Sequence, residues 1–408
     1  MISIKTKSRI VYHTSRLRKV TGWTALDTYL VLTFKRILPL KNKKILLIAN
    51  SPVMAEHIHD FEALFLNDNY IETFVYINND ANRFTKKILK NLHTWFKSKI
   101  VGRIIAHYFP WDLIIAPDHG IASYFDNHIA PMVYIGHGAW NKICGEKNTL
   151  ITISSVGYTQ KGEWRFVKMF CSSKYICNEA EKENPDLRGR IAVVGDLQYD
   201  RLLKIKKERI SIRKKLGVQE STILVMFLGS WGNDSLFQKL GDYLLKEAKE
   251  MVKNNYRFII NIHPNEYCVF SKTKRIWGTY LESFCENNDG FIMRKRDEVS
   301  DKYFIASDVI IADHTCLADI AFLLKKPILL APVSSEYIWN KSITSLGRKI
   351  APKLNEKLPL HEQIEQYALN QSIDQISELS DKMLSYKGLA ATRIKDEIYK
   401  LLNLKRSE

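Results

Sequence analysis

The chain has 408 residues, 46% of them hydrophobic and 26% charged, with 18 Gly and a formal net charge of +17. That length suits two domains of roughly 150–200 residues, and the composition excludes large-scale disorder. No apolar run approaches the roughly 18–20 residues of a membrane-spanning helix, and the start, MISIKTKSRIVYHTSRLRK, lacks the apolar stretch of a signal peptide.

The positive charge is concentrated. Residues 1–44 hold eleven Lys/Arg against one acid, Asp27. Residues 81–111 add Arg83, Lys86, Lys87, Lys90, Lys97, Lys99 and Arg103 with no acid, so these two segments account for the whole excess. Trp23, Tyr29, Phe34, Phe84, Trp95 and Phe96 are interleaved with them. A basic helix with aromatics on its apolar side suits an anionic membrane surface. Phosphate-bound nucleic acid and a plain solvated face are the competing readings. The amphipathic spacing of Ile88, Leu89, Leu92, Trp95 and Phe96 favours the membrane. No nucleic-acid motif is present, so no nucleic-acid partner is expected. Residues 1–40 are thus expected to form a basic, amphipathic, membrane-associating arm.

After the arm, KKILLIAN (43–50) predicts a first strand, MAEHIHDFEALFL a helix and IETFVYI a second strand. WDLIIAPDHG and APMVYIGHGAW predict two strand-to-loop junctions, and LITISS and KYICNE two very short strands. The polar, turn-rich EKENPDLRGR (181–190) marks a domain junction. RIAVVGD restarts the pattern, followed by a charged helix over YDRLLKIKKERISIRKKLG. STILVMFLGS, RFIINIHP, GFIMR, SDVIIAD and KPILLAP continue as strands, and the tail after Pro352 is helical in pattern. Alternating strand and helix indicates parallel sheets with helices on their faces. The expected fold is α/β: two Rossmann-like domains, residues 41–185 and 186–385, facing a central cleft, with a helix at 386–408. The six scattered Cys carry no CxxC pair, which leaves reduced thiols and no metal site of recognisable spacing.

Ligands of open α/β sheets bind at the carboxyl ends of strands, and four candidate junctions fall there. His137, between Gly136 and Gly138, directly follows an apolar strand, where an imidazole suits proton removal from an alcohol. A structural histidine at a tight turn is the plain alternative. His119 has the same strand–His–Gly form beside Asp118; orienting the acceptor, acting as the base itself, and a packing or capping role are its three readings. His263 in HPNE is placed to stabilise charge on a departing phosphate, Pro264 having ended the sheet pairing. Gly229 and Ser230 offer N–H and hydroxyl groups to phosphate. In SDVIIADHTCLADIAFLL, Asp313, Thr315 and Asp319 occupy a strand-to-helix junction: Thr315 to bond phosphate, Asp319 to accept from ribose, and Asp313 with an N-cap alone as its plain reading.

Several segments resemble, in order, those of the CDP-glycerol glycerophosphotransferase family of teichoic-acid primases and polymerases. YIGHGAWNKICGEKN is similar to WHGTPLKxLG, VVGDLQYDRL to GxPRxDxL, ILVMFLGSW to the strand ending PTWR, and NIHPNE to LHP. SDVIIADHTCLADIAFLLKKPILL is similar to aDvlItDYSSxxFD…kPii, and KGLAATRIKDEI to GxAxxRIxxxI. The resemblance implies the two-domain fold of type B glycosyltransferases (GT-B). It implies a transferase moving glycerol phosphate from CDP-glycerol, or a related nucleotide donor, to a hydroxyl of a lipid-linked or polymer acceptor, in teichoic acid or capsule synthesis. The place of work would be cytoplasmic, peripheral on the inner face of the membrane, with no cofactor and no metal. In that frame His137 is the base, His263 stabilises the donor phosphates, and Asp313 and Thr315 meet the nucleotide diphosphate. The sequence departs from the pattern in four places. The Pro-Arg after Gly195 gives way to Asp196-Leu197-Gln198, the Arg of PTWR is replaced near Gly232, DYSS becomes DHTC, and Asp319 falls one residue short. A glycosyltransferase or a UDP-N-acetylglucosamine 2-epimerase-like enzyme of the same fold, with its own HPN turn, is the alternative; a non-enzymatic nucleic-acid binder rests on charge alone.

Overall fold

The computed structural model describes residues 42–79, 86–126, 130–136, 143–144, 149–150, 157–159, 162–267, 275–296, 298–333 and 338–405. The basic arm at 1–40 lies outside them. The first half comprises β1 (Lys43–Ala49), α1 (Pro52–Phe65), β2 (Ile71–Ile77), α2 (Lys86–Trp95), β3 (Lys99–Ile100), α3 (Arg103–Tyr108), β4 (Leu113–Ala116) and α4 (His119–Ala122). It continues with β5 (Met132–Tyr134), β6 (Ile143–Cys144), β7 (Thr149–Leu150), β8 (Lys168–Cys171), α5 (Lys174–Glu183) and β9 (Ile191–Val193). Seven of these strands form one parallel sheet in the order β3-β2-β1-β4-β5-β8-β9, while β6 and β7 make a separate antiparallel pair.

The chain then passes through α6 (Leu197–Ile205) and α7 (Arg209–Lys215) into the second half. There β10 (Ile223–Gly229), α8 (Leu236–Val252), β11 (Tyr256–Ile262), α9 (Trp277–Glu286), β12 (Phe291–Met293), α10 (Asp301–Ala306), β13 (Val309–Ala312), α11 (Asp319–Leu323) and β14 (Ile328–Leu330) alternate strictly. Their strands form a second parallel sheet, β12-β11-β10-β13-β14. Helices α12 (Ile343–Ile350), α13 (Leu360–Gln363), α14 (Ile373–Met383) and α15 (Ala390–Leu401) complete the chain.

The strands are continuous apolar runs because both faces of each sheet are covered. Along β10 the period-2 alternation divides the side chains between two cores. Leu224, Met226 and Leu228 join a cluster shared with the first sheet, while Val225 and Phe227 pack with Phe237, Phe258 and Trp277 on the far side.

Four sequence readings are corrected. KYICNE is not a strand: Ser173 caps Ile176 N at 3.1 Å and opens α5, whose Ile176, Cys177 and Ala180 are buried. The strand of this region is β8, which ends three residues before Lys174. RIAVVGD supplies β9, which pairs with β8, so the polar stretch 181–190 is followed by one more strand of the first sheet. The long charged helix after it is broken by a 3-10 turn at Lys206–Glu208. On α2, Leu92 is buried, and so is Phe96 just beyond its end, with Trp95 partly buried against the same core, so much of that apolar face is covered by the protein itself. Among the described residues, no helix is long and apolar enough to cross a membrane.

The chain returns to its first half at the end. Ser385 N donates to Ser172 O at 2.9 Å, Arg393 Nε to Val193 O at 3.1 Å, and Tyr399 Oη to Asp68 Oδ2 at 2.7 Å. The Asp200 carboxylate on α6 caps the start of α15, accepting from Gly388 N at 2.6 Å and Ala390 N at 2.9 Å.

Candidate active site

In parallel sheets the loops after the strands hold ligands, and the two sheets turn those loops toward each other. On the second sheet, β10 ends at Gly229, where a Cβ would press on Phe237 at 3.2 Å and on Ile262 at 3.5 Å. The next residue, Ser230, is tied to Asp313 at the end of β13: its N and Oγ donate to Asp313 Oδ2 at 2.8 and 2.9 Å. The same carboxylate accepts from Leu236 N at 2.7 Å and from Thr315 N at 2.8 Å. Asp313 is wholly buried. Its carboxylate therefore fixes the relative position of two loops and the first turn of α8, a larger duty than an N-cap and one directed inward.

Ser230 Oγ also lies 3.1 Å from His314 Nε2. Since the hydroxyl proton goes to the carboxylate, the imidazole is the donor in that contact. His263 follows β11, its N–H held by Gly229 O at 3.0 Å. Its Nδ1 accepts from Asn265 N at 3.1 Å, which places the proton of the neutral ring on Nε2. The Trp231 ring, 40% exposed, stands 6.0 Å away. Ser230, His263, Asp313 and Thr315 are thus one assembly, with Thr315 Oγ1 accepting from Leu317 N at 3.3 Å.

Asp319 is also close by but faces inward. It is wholly buried, Oδ1 accepts from Thr344 Oγ1 at 2.9 Å, and Oδ2 has no hydrogen-bond partner. Burial pushes its carboxyl up to about 7. That placement sets it beneath the junction as a packed, proton-bearing group.

Across from this assembly, burial raises the Tyr134 phenol, and the nearby Asp118 and Cys316 add to the shift. Tyr199 is raised by burial and feels Asp196, Asp319 and Cys316. The DHTC junction of the second sheet therefore faces the ends of β4 and β5 and the start of α6. His119 opens α4 there, beside Asp118, whose carboxylate caps Gly120 N at 2.7 Å and stands 3.7 Å from His119 Nδ1. His137 and Gly138 lie outside the described residues, one step beyond Gly136, whose φ of 71° suits glycine.

A pocket opens at the carboxyl ends of β5, β8 and β9, lined by Gly136, Ser172, Gly195–Gln198 and, from α1, His57 and Asp60. Gly195, at φ 88°, leaves no room for a side chain: a Cβ would stand 3.2 Å from Ala390 Cβ and 3.3 Å from Ser385 O. The segment Asp196-Leu197-Gln198, which departs from the resembled pattern, thus lies just after β9, at the start of α6, on the side that faces the junction at Asp313. Asp196 caps α6 through Tyr199 N at 3.0 Å. Burial pushes the Asp196 carboxyl up to about 6 and raises Asp60 as well.

Asp60, Gln198 and Arg348 were not singled out from the sequence. Asp60 is an ordinary acid within an amphipathic helix pattern, and Gln198 was visible only as a substitution for the family's Arg. Arg348 ties the ends of β13 and β14 by donating to Asp313 O at 3.1 Å and to Ala331 O. A cation in the last turn of a helix gives no hint of that. Among the described residues no group of three or more His, Cys, Asp or Glu gathers where a metal would be held.

These two facing Rossmann-like lobes, with loops converging from both sheets, have the GT-B architecture. No family model and no curated protein matches the sequence. Solved structures do match in fold. The wall teichoic acid polymerase TagF superposes with a TM-score of 0.61 at 14% identity, covering 99% of each chain. A TagF variant soaked with CDPG gives 0.63 at the same identity and coverage. The S. aureus MnaA–UDP co-structure gives 0.60 at 12% identity over 90% of this chain and 98% of that one. The UDP-GlcNAc 2-epimerase of Neisseria meningitidis, bound to UDP-GlcNAc, gives 0.53 at 13% identity over 88% of this chain and all of the other.

Proposed function

We propose that this chain is a glycerophosphotransferase of the CDP-glycerol family, acting on a membrane-linked acceptor in teichoic acid or capsule synthesis. The observation that carries the reading is the assembly of Ser230, His263, Asp313 and Thr315 at the carboxyl end of the second sheet, facing the loops of the first, in a fold shared end to end with TagF. Donor phosphates fit against the Thr315 hydroxyl and the Nε2–H of His263, with Ser230 holding its loop in place through Asp313. Asp313 shapes that cradle and Asp319 supports it from below. The acceptor fits on the first lobe, near His119 and Gly138.

In the reaction, His137 takes the proton of the acceptor hydroxyl as its oxygen attacks the β-phosphorus of CDP-glycerol in line. The new P–O bond forms as the bond to the CMP oxygen breaks, and His263 hydrogen-bonds the departing phosphate. Nothing in this chemistry calls for a cofactor. The 1–40 arm brings the enzyme to the inner face of the membrane, where a lipid-linked acceptor resides. In liposome flotation, anionic vesicles should capture the full chain and release most of it when residues 1–40 are deleted. Capture unchanged by the deletion removes the arm from the proposal.

Incubation with CDP-glycerol and a lipid-linked acceptor should yield CMP and an acceptor heavier by one or more glycerol phosphates. The fold shared with MnaA over 90% of this chain supports a second reading, a sugar-nucleotide epimerase or transferase. A parallel incubation with UDP-N-acetylglucosamine separates them: epimerised product, or transfer of the sugar, without CMP release from CDP-glycerol would replace the first reading by the second.

A further inference from the structure

The pocket at the ends of β5, β8 and β9 has a chemistry of its own. Its polar lining is His57, Asp60, Ser172, Asp196 and Gln198, and no Lys or Arg lines it among the described residues. The guanidinium of Arg201, which pairs with Asp60, is also committed to Asp301 at 2.5 Å and to Glu56 at 3.2 Å. Phe61, Phe170 and Ile176 give the pocket an apolar wall. Where the family pattern carries Arg, this chain has Gln198, whose Nε2 donates to Asp301 Oδ1 at 3.3 Å.

We propose that this pocket seats the end of the acceptor, and that it selects an uncharged, hydroxyl-rich group (a sugar or an alditol) over one ending in phosphate. The inference rests on the transferase reading above and adds the acceptor's chemistry to it. A phosphate here would face two carboxyl groups with no Lys or Arg in the lining to balance it. Hydroxyls suit the same lining, because the carboxyl oxygens of Asp60 and Asp196 accept hydrogen bonds that a hydroxyl can donate and a phosphate dianion cannot. Apolar walls suit the C–H faces of a sugar ring. Gly136, the residue before His137 in the sequence, belongs to the lining.

Calorimetric titration of the full chain with two synthetic ligands tests this. One is an uncharged octyl disaccharide, the other the same compound bearing a terminal phosphate. The unsubstituted protein should bind the uncharged ligand at least about tenfold more tightly. Gln198→Arg should shrink that preference by about tenfold or invert it, with Gln198→Ala in between. Binding of CDP, titrated in parallel, should be unchanged in both variants, showing that they fold. The inference is overturned by equal or tighter binding of the phosphate-bearing ligand, by no saturable disaccharide binding, or by variants that keep the original preference. Disaccharide binding intact in a protein that ignores CDP would sink the transferase reading and leave the pocket assignment standing.

Discussion

Both carboxylate oxygens of Asp313 are engaged, by Ser230 N and Oγ, Leu236 N and Thr315 N, in a site without solvent contact. Asp313→Ala leaves three buried backbone donors unpaired, each worth about 1–3 kcal/mol. A loss of at least about 3 kcal/mol is expected in urea unfolding; a variant of unchanged stability that loses only nucleotide binding would instead make Asp313 a direct ligand. Asp319 gives a pH test. Its folded pKa is about 7 against an ordinary 3.8, so the folded chain holds the proton more tightly between those values. Stability therefore falls as pH rises through that window, and the penalty is complete above it. Asp319→Asn does not titrate, so its advantage over the unsubstituted protein should grow across the window by on the order of 4 kcal/mol. A constant difference from about pH 4 to pH 8 would contradict the assignment. The sequence placed both carboxyls at the right junction, because an apolar run ending in Asp marks a strand end. It could not give their direction, which depends on Ser230 and Thr344, 83 and 25 residues away.

At the scale of elements, α1, α6 and α10 meet through one side chain. Arg201 on α6 donates to Glu56 and Asp60 of α1 and to Asp301 of α10, linking helices of the two halves. Asp301 is buried, and burial raises Glu56 to about 7, so the carboxyl groups depend on this guanidinium for neutralisation. Arg201→Ala should destabilise the protein by about 3 kcal/mol or more, because it strands buried charge. Calorimetry should show the loss as a lower or split unfolding transition; an unshifted single transition would mean that the lobes are held without it. Strands and long helices were legible from periodicity, and the β11–His263 and β13–Asp313 junctions fell where expected. The misread elements are the charged helix, interrupted at Lys206–Glu208, and the short KYICNE. KYICNE has the β-branched and aromatic residues of a strand, yet Ser173 and the burial of Ile176, Cys177 and Ala180 make it helical. Local propensity is a weak prior once a cap and a core face compete with it.

For the whole molecule, the alternation of strand and helix carried the two-lobe fold, and the fold carries the convergence of loops. What the sequence obscured was the path between lobes. The first sheet takes one more strand after the polar junction, and the chain's last helix returns to the first half. Such contacts join residues up to 331 apart, beyond any local pattern. The apolar surface was misplaced for the same reason. Leu92 and Phe96 are covered by the core, while Ile104 and Ile105 of α3, unremarked in the sequence, are 76% and 50% exposed. The central claim is that an imidazole from each lobe serves one transfer at the cleft. Single-turnover CMP release from CDP-glycerol, with acceptor in excess, tests it in the unsubstituted protein, His137→Ala and His263→Ala. Each substitution should slow release by about 100-fold or more while CDP still binds; full-rate release by either variant would contradict the account.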